Sequence, residues 1–303
     1  MYLSEWLYYL YWLKVLVHDL NKIWTVLELV NWGTDYFRKK GIDSPRLNIE
    51  LLLCNLLNFD RIDLYLQYDK PLTKSELEKL RSMVLRRSER EPLQYITGLS
   101  EFCGRNFIIN RNVLIPRPET EILVNEVFNK MQNSEAELII LDIGTGCGNI
   151  ALSLALKFIN AKIIAVDLSS DALTNAKANA DIFRLNNVEF IKCDILKNLP
   201  DYGPFDVIVS NPPYISFAEY KELQPEVLNY EPASALTDKH DGMTFYRRFS
   251  QIFGKILKPR GLFFLEIGFE QSDRVQSLFS DNGFVIYIIP DFDNIPRVVV
   301  GSF

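Results

Sequence analysis

Leu138-Ile-Ile-Leu-Asp142-Ile-Gly144-Thr145-Gly146-Cys147-Gly148-Asn-Ile-Ala-Leu152 is the stretch that decides the fold. Its branched apolar run reads as a buried strand, the alternate glycines as a tight turn, and the apolar residues after them as a helix. A glycine turn between strand and helix brings free backbone N–H groups close to a ligand, as nucleotide-type sites do. A dinucleotide fingerprint would be spaced G-x-G-x-x-G, with the helix dipole aimed at a pyrophosphate. The spacing here is G-x-G-x-G, preceded by Asp142. It fits a cofactor without phosphate, S-adenosylmethionine, whose methionine part lies against Gly144, Thr145, Gly146, Cys147 and Gly148.

From this loop to the C-terminus, strand and helix patterns alternate. Strands are expected near 138–143, 162–167, 188–193, 205–210, 261–267, 284–289 and 296–302. Such alternation predicts an α/β fold: a twisted, mainly parallel, Rossmann-like seven-stranded sheet with helices on both faces. Ligands of such sheets bind at the strands' carboxyl ends, and that edge carries a series of polar residues. Asp167 ends Ile163-Ile-Ala-Val-Asp167, where a carboxylate can accept both ribose hydroxyl protons. Asp194 ends the third strand, and Ile195 beside it suits an apolar contact to adenine.

The fourth strand stops abruptly in Val207-Ile-Val-Ser-Asn211-Pro212-Pro213-Tyr214-Ile215, because neither proline can donate to a ladder. The Asn211 side-chain oxygen and the Pro212 carbonyl can each accept one N–H, with Tyr214 stacking on the flat face of an amide or a base. Asn211, Pro212, Pro213 and Tyr214 thus form a cradle for a planar NH2 group, with Asn211 also touching the cofactor. Acidic strand ends, glycine loop and Asn211 in this order predict a class I methyltransferase fold.

The N-terminal third differs. Residues 25–92 read as all helical, with Thr25 opening one helix, Ser44 capping another that has Pro45 at its first position, and a capping box at Thr73-Lys-Ser-Glu76. The basic run Arg81, Arg86, Arg87, Arg90 on the last helix reads as a solvated face or a contact for RNA or an acidic partner. Residues 93–118 read as a connector with a β-hairpin, pairing Phe107-Ile-Ile with Val113-Leu-Ile115 around Asn110-Arg-Asn112. Residues 1–24 have helical apolar spacing, no basic leader and no run long enough to span a bilayer, so a helix packed on the next is expected ahead of a membrane-surface or partner helix. The helical region, the connector and a catalytic domain over 119–303 complete the expected organisation.

Composition bounds the partners. A net charge of −6 argues against a general nucleic-acid binder. Cys54, Cys103, Cys147 and Cys193 are scattered without CxxC spacing, and two histidines add no zinc pattern, so reduced thiols, no metal and a cytoplasmic location are expected.

From Thr25 onward the chain resembles the release-factor glutamine N5-methyltransferase family, the HemK/PrmC type. The matching stretches are Gly41-Ile-Asp-Ser-Pro-Arg-Leu47, Glu91-Pro-Leu-Gln-Tyr-Ile-Thr-Gly98, Val113-Leu-Ile-Pro-Arg-Pro-Glu-Thr-Glu121, the glycine loop and Asn211-Pro-Pro-Tyr-Ile215. Residues 1–24 have no counterpart, and Ile195 stands where some relatives carry an aromatic. The resemblance implies S-adenosylmethionine-dependent methylation of the glutamine in the Gly-Gly-Gln loop of peptide chain release factors. It also implies a helical domain that holds the factor and a monomeric enzyme that contacts neither nucleic acid nor membrane. Asn211, Pro212 and Tyr214 are then catalytic, while Phe102 and Phe107 either wall the transfer site or belong to the core. The stretch from Ser216 to Tyr246 reads in part as a mobile wall or lid. An adenine-N6 methyltransferase of DNA or RNA would use the same cradle, and a cofactor-binding regulator would use the glycine loop alone.

Overall fold

The computed structural model describes residues 23–132 and 137–303, so the helix expected over residues 1–24 falls almost wholly outside the described residues. The chain divides between Thr97 and Gly98 into two units.

The first unit is helical: α1 (Val26–Lys39), α2 (Pro45–Leu57), α3 (Arg61–Leu66), α4 (Lys74–Ser88) and α5 (Leu93–Thr97). Reciprocal capping boxes open α1 and α4, with the Thr25 N–H donating to Glu28 Oε2 at 3.0 Å and the Thr73 N–H to Glu76 Oε2 at 2.7 Å. Pro45 begins α2 as predicted, but Ser44, at φ 47°, makes no side-chain cap; Asn48 Nδ2 donates instead to the Asp43 and Ser44 carbonyls at 2.9 and 3.1 Å. The basic run is not simply a solvated face. Arg86 donates to both carboxylate oxygens of buried Glu91 at 2.8 Å, Arg87 Nε to Asn48 Oδ1 at 2.7 Å, and Arg90 to the Lys40 carbonyl at 3.3 Å. Three of the four arginines therefore work inside the unit, because the buried Glu91 carboxylate and the buried Asn48 amide oxygen are out of reach of solvent donors.

The second unit begins with a hairpin of β1 (Leu99–Phe102) and β2 (Arg105–Ile108). Its two-residue turn, Cys103 (φ 48°) and Gly104 (φ 69°), has the positive φ values whose twist matches flanking strands. The hairpin thus lies one strand earlier than expected. Val113 and Ile115 are buried in a segment outside any strand, where the Ile115 N–H donates to Glu231 Oε2 at 3.2 Å. Asn110-Arg-Asn112 is a stronger turn signal than Cys103-Gly104, yet buried carboxylate Glu231 captures the chain that would have been the second strand.

The sheet matches the alternation: β3 (Ile139–Ile143), β4 (Lys162–Asp167), β5 (Val188–Lys192), β6 (Phe205–Ser210), β7 (Leu257–Glu266), β8 (Val285–Pro290) and β9 (Pro296–Ser302), in the order β5-β4-β3-β6-β7-β9-β8. The pairs from β5 to β7 are parallel, and β9 runs antiparallel between β7 and β8. Helices α6 (Pro118–Met131), α7 (Asn149–Lys157) and α8 (Ser170–Phe183) link the first strands. Three short helices follow β6: α9 (Phe217–Tyr220), α10 (Pro225–Tyr230) and α11 (Ala233–Leu236); α12 (Thr244–Ile256) and α13 (Ser272–Asp281) complete the unit. Leu141 and Ile143 share a core with Phe249 and Phe253 of α12, so by the two-residue period Ile140 and Asp142 point to the other face.

In the helical unit, α1 and α2 meet where a Cβ on Gly33 would lie 2.4 Å from Ile49 Cγ1. Gly33→Ala forces the helices apart or Ile49 off its rotamer, at a cost of about 1–3 kcal/mol. Trp24 and Trp32 lie in this unit and no tryptophan follows Gly98, so a change in their fluorescence follows its unfolding. Urea unfolding of the full chain followed by that signal gives a lower midpoint for the variant; an unchanged midpoint would mean the contact has slack.

Candidate active site

The chain leaves β3 toward β4 and β5 on one side of the sheet and returns at β6 to run toward β7 on the other. Ligands bind at such a switch point, outside the strands' carboxyl ends. Ile143 and Ser210 are the last paired residues of β3 and β6, and the Ser210 hydroxyl donates to the Ile143 carbonyl at 2.7 Å. The glycine loop leaves one strand there and Asn211 the other. Between them lies a cavity of about 200 Å³, whose lining includes Gly144, Gly146, Asp167, Asp194, Ile195 and Asn211.

Gly144 (φ 77°) and Gly146 (φ 56°) take left-handed backbone, and a Cβ on either would meet nothing within 4 Å. That open space is what a ligand lying against the loop needs. The Asp167 carboxylate holds the loop by accepting from the Gly146 N–H at 2.9 Å through Oδ2 and from the Ser169 N–H at 2.8 Å through Oδ1. Burial raises its pKa, with those N–H groups opposing the rise. Each oxygen keeps a lone pair for a further donor. Asp194 accepts from the Leu196 N–H at 3.2 Å and pairs with Lys197 at 3.0 Å, and the Ile195 carbonyl accepts from Arg248 Nε at 2.9 Å. A carboxylate, open glycines and apolar Ile195 and Phe245 in one cleft fit an adenosyl cofactor.

Three loop residues lie outside the lining of this cavity. Thr145 and Cys147 are buried, and burial pushes the Cys147 thiol up to about 12. A Cβ on Gly148 would meet Leu152 and Ala176 at 3.1 and 3.2 Å, so this position serves helix packing. Asn179 Nδ2 on α8 donates to the carbonyls of Cys147 and Ile108 at 2.9 Å each, and its oxygen accepts from the Ile108 N–H at 2.7 Å, tying the loop to the hairpin.

Asn211, Pro212 and Pro213 line the cleft as expected. Asn211 Nδ2 donates to Thr120 Oγ1 at 3.1 Å, and the Thr120 hydroxyl donates to Glu266 Oε2 at 2.6 Å. Tyr214 does not line the cleft. Its ring packs on the core and its hydroxyl donates to Glu266 Oε1 at 3.3 Å, so stacking on an acceptor group is corrected to support of the strand end. Phe102 is also absent from the lining; it is 1 % exposed and packs edge-to-face on Phe107, and both residues belong to the core. The stretch after Tyr214 is a wall fastened at several points. Pro232 and Ala235 line the cleft, the Ile215 N–H donates to the Leu236 carbonyl at 3.0 Å, and buried Glu231 accepts from Arg117 and Ile115.

Sequence reasoning missed Thr120, Glu266, Glu231 and Asn179. Glu266 did carry a signal, an acid closing the apolar run of β7, the pattern by which Asp167 was found. Thr120 and Glu231 pair over long sequence separations, which no local pattern encodes.

Two family models match: PrmC N-terminal domain over residues 28–98 and Methyltransferase domain over residues 134–282. A release factor glutamine methyltransferase of Geobacter sulfurreducens is 40% identical over 92% of this chain and 97% of its own length. One of Koribacter versatilis is 42% identical over 85% and 91%. Among solved structures, the hMettl16 catalytic domain in complex with an RNA hairpin aligns with a TM-score of 0.51 at 16% identity, covering 75% of this chain and 81% of that one, a likeness of fold.

Asp142, beneath the loop, is fully buried, and among the described residues neither of its oxygens has a hydrogen-bond partner; burial pushes it up to about 7. A raised acid in the folded state contributes stability that is present below its ordinary value near 4 and lost as pH rises toward 7. Asp142→Asn removes that loss. Chemical denaturation finds the variant more stable than the parent by roughly 2–4 kcal/mol at pH 8, with the gap narrowing at pH 5. A gap independent of pH would mean that Asp142 is ionised without cost.

Proposed function

Because the chain belongs to the release factor glutamine methyltransferase family, we propose that it methylates the side-chain amide nitrogen of a release-factor glutamine, in its Gly-Gly-Gln loop, with S-adenosylmethionine as donor. The observation that carries this reading is Asn211 at the switch point. Its amide nitrogen is engaged by Thr120, which leaves its oxygen as the acceptor for one N–H of a planar amide.

When bound, the cofactor supplies a sulfonium methyl, whose C–S bond breaks as the N–C bond forms, and one amide proton leaves to solvent. The residues supply position. Gly144 and Gly146 admit the methionine part, Asp167 takes ribose hydroxyls, Asp194 and Ile195 flank the base, and Pro213 walls the acceptor. An amide nitrogen is a weak nucleophile because its lone pair is delocalised, so aiming it in line is the main task. Asn211 Oδ1 and the Pro212 carbonyl accept the two N–H bonds and favour the positive charge that develops on nitrogen. No strong base is needed, since an alkylated protonated amide is very acidic.

A lone amide offers too few contacts for discrimination, so the helical unit is assigned to holding the release factor. The enzyme acts as a cytoplasmic monomer. Adenine's amino group is also a planar NH2, but a net charge of −6 favours a protein acceptor over DNA or RNA.

Transfer of labelled methyl to release factor, to its Gly-Gly-Ala variant and to DNA tests the assignment: label enters only the first, and label in DNA would overturn it. Asn211→Ala lowers the rate about 10²–10³-fold while cofactor affinity holds. Asp167→Ala does the reverse, weakening cofactor binding by about 1.5–3 kcal/mol in calorimetry. Rates or affinities that move together would merge the two roles. Removal of residues 1–97 leaves cofactor binding in place and slows methylation of intact release factor; full activity of the shortened protein would place recognition in the second unit.

A further inference from the structure

A carboxamide presents an oxygen and an NH2 of nearly equal shape, so its environment decides which end meets a ligand. The Asn211 environment makes that decision through two buried residues. Thr120 and Glu266 are each 1 % exposed, one on α6 and the other ending β7. An ionised carboxylate only accepts, so the Thr120 hydroxyl gives its single proton to Glu266 Oε2 at 2.6 Å and offers its lone pairs to Asn211 Nδ2 at 3.1 Å. Tyr214 donates to the other carboxylate oxygen at 3.3 Å, and the Tyr246 hydroxyl holds the residue's backbone by donating to the Glu266 carbonyl at 2.8 Å.

We propose that Thr120 and Glu266 are positioning residues for methyl transfer, a relay that turns the Asn211 oxygen toward the acceptor amide. The proposal rests on Asn211 as the acceptor of a substrate N–H. Neutral Glu266 reverses the relay: its O–H donates to Thr120, whose own proton is then free to attract Asn211 Oδ1, so the amide presents its NH2 to the substrate's N–H. Two donors then face each other. The groups around Glu266 divide: Glu119 opposes its ionisation, Arg297 and the hydroxyls of Thr120 and Tyr214 favour it, and burial outweighs both and pushes it up to about 7. Arg117 acts on the neighbouring Tyr214 and favours its ionised form. The competent orientation is therefore lost as pH falls below neutrality.

The test uses the full chain with selectively labelled asparagine. The side-chain amide resonances of Asn211 shift between pH 6 and 8 in the parent and stay fixed in Thr120→Val and Glu266→Gln; a parent resonance that does not titrate overturns the relay, whatever the substrate. With release factor, Thr120→Val lowers kcat about 10–10²-fold while KM and cofactor affinity stay near the parent's. Thr120→Ser, which keeps the hydroxyl, recovers most of that loss, and Glu266→Gln flattens the acidic limb of the kcat profile. A Thr120→Val enzyme with parental kcat refutes the relay alone. A parent that titrates but leaves release factor unmethylated refutes the substrate assignment and keeps the relay.

Discussion

The pairing of β3 with β6 at the middle of the sheet is the constraint on which the site depends. Their parallel register ends at Ile143 and Ser210, sealed by the Ser210 hydroxyl on the Ile143 carbonyl, so two loops of opposite chemistry start side by side. One loop is free of side chains at Gly144 and Gly146; the other is stiffened by two prolines. A ligand against the first meets the side chain presented by the second. Slipping this register by one residue would turn Asp142 and Leu141 to the wrong faces, exchanging a buried carboxylate with core packing.

Much of this was legible because it is periodic. Every strand of the sheet was written in apolar runs, and the glycine loop, Asp167, Asp194, Ile195 and Asn211 were marked by their place at the ends of those runs. The misreadings share one cause: each residue's destination was set by a partner far along the chain. Ile115 left its expected hairpin for Glu231, Tyr214 turned from the cleft to Glu266, and Arg87 turned inward to Asn48. A buried polar group costs about 1–3 kcal/mol if left unpaired, which exceeds most local turn or stacking preferences. Buried polar groups therefore overrule local signals.

The acids of the second unit fall into two kinds. Asp167 and Glu231 spend their charge on backbone N–H groups and an arginine, fixing loops that line the cleft. Asp142 and Glu266 are fully buried, and burial raises both to about 7. The first kind fixes the loops by direct hydrogen bonds and an ion pair. The second places a change of protonation near neutral pH, beneath the glycine loop in one case and behind Asn211 in the other.

That division explains why a carboxamide can stand at the transfer point while a carboxylate stands two bonds behind it. A charge in direct contact would attract the sulfonium and the developing cation alike, which strengthens ground-state binding as much as the transition state and gains no rate. Set back behind Thr120, the Glu266 charge orients Asn211 through the hydroxyl instead of standing at the transfer point. The amide oxygen that faces the acceptor is neutral, and its partial charge becomes most favourable when the acceptor nitrogen turns positive. Held by a buried hydrogen-bond chain, it needs no reorganisation at that moment.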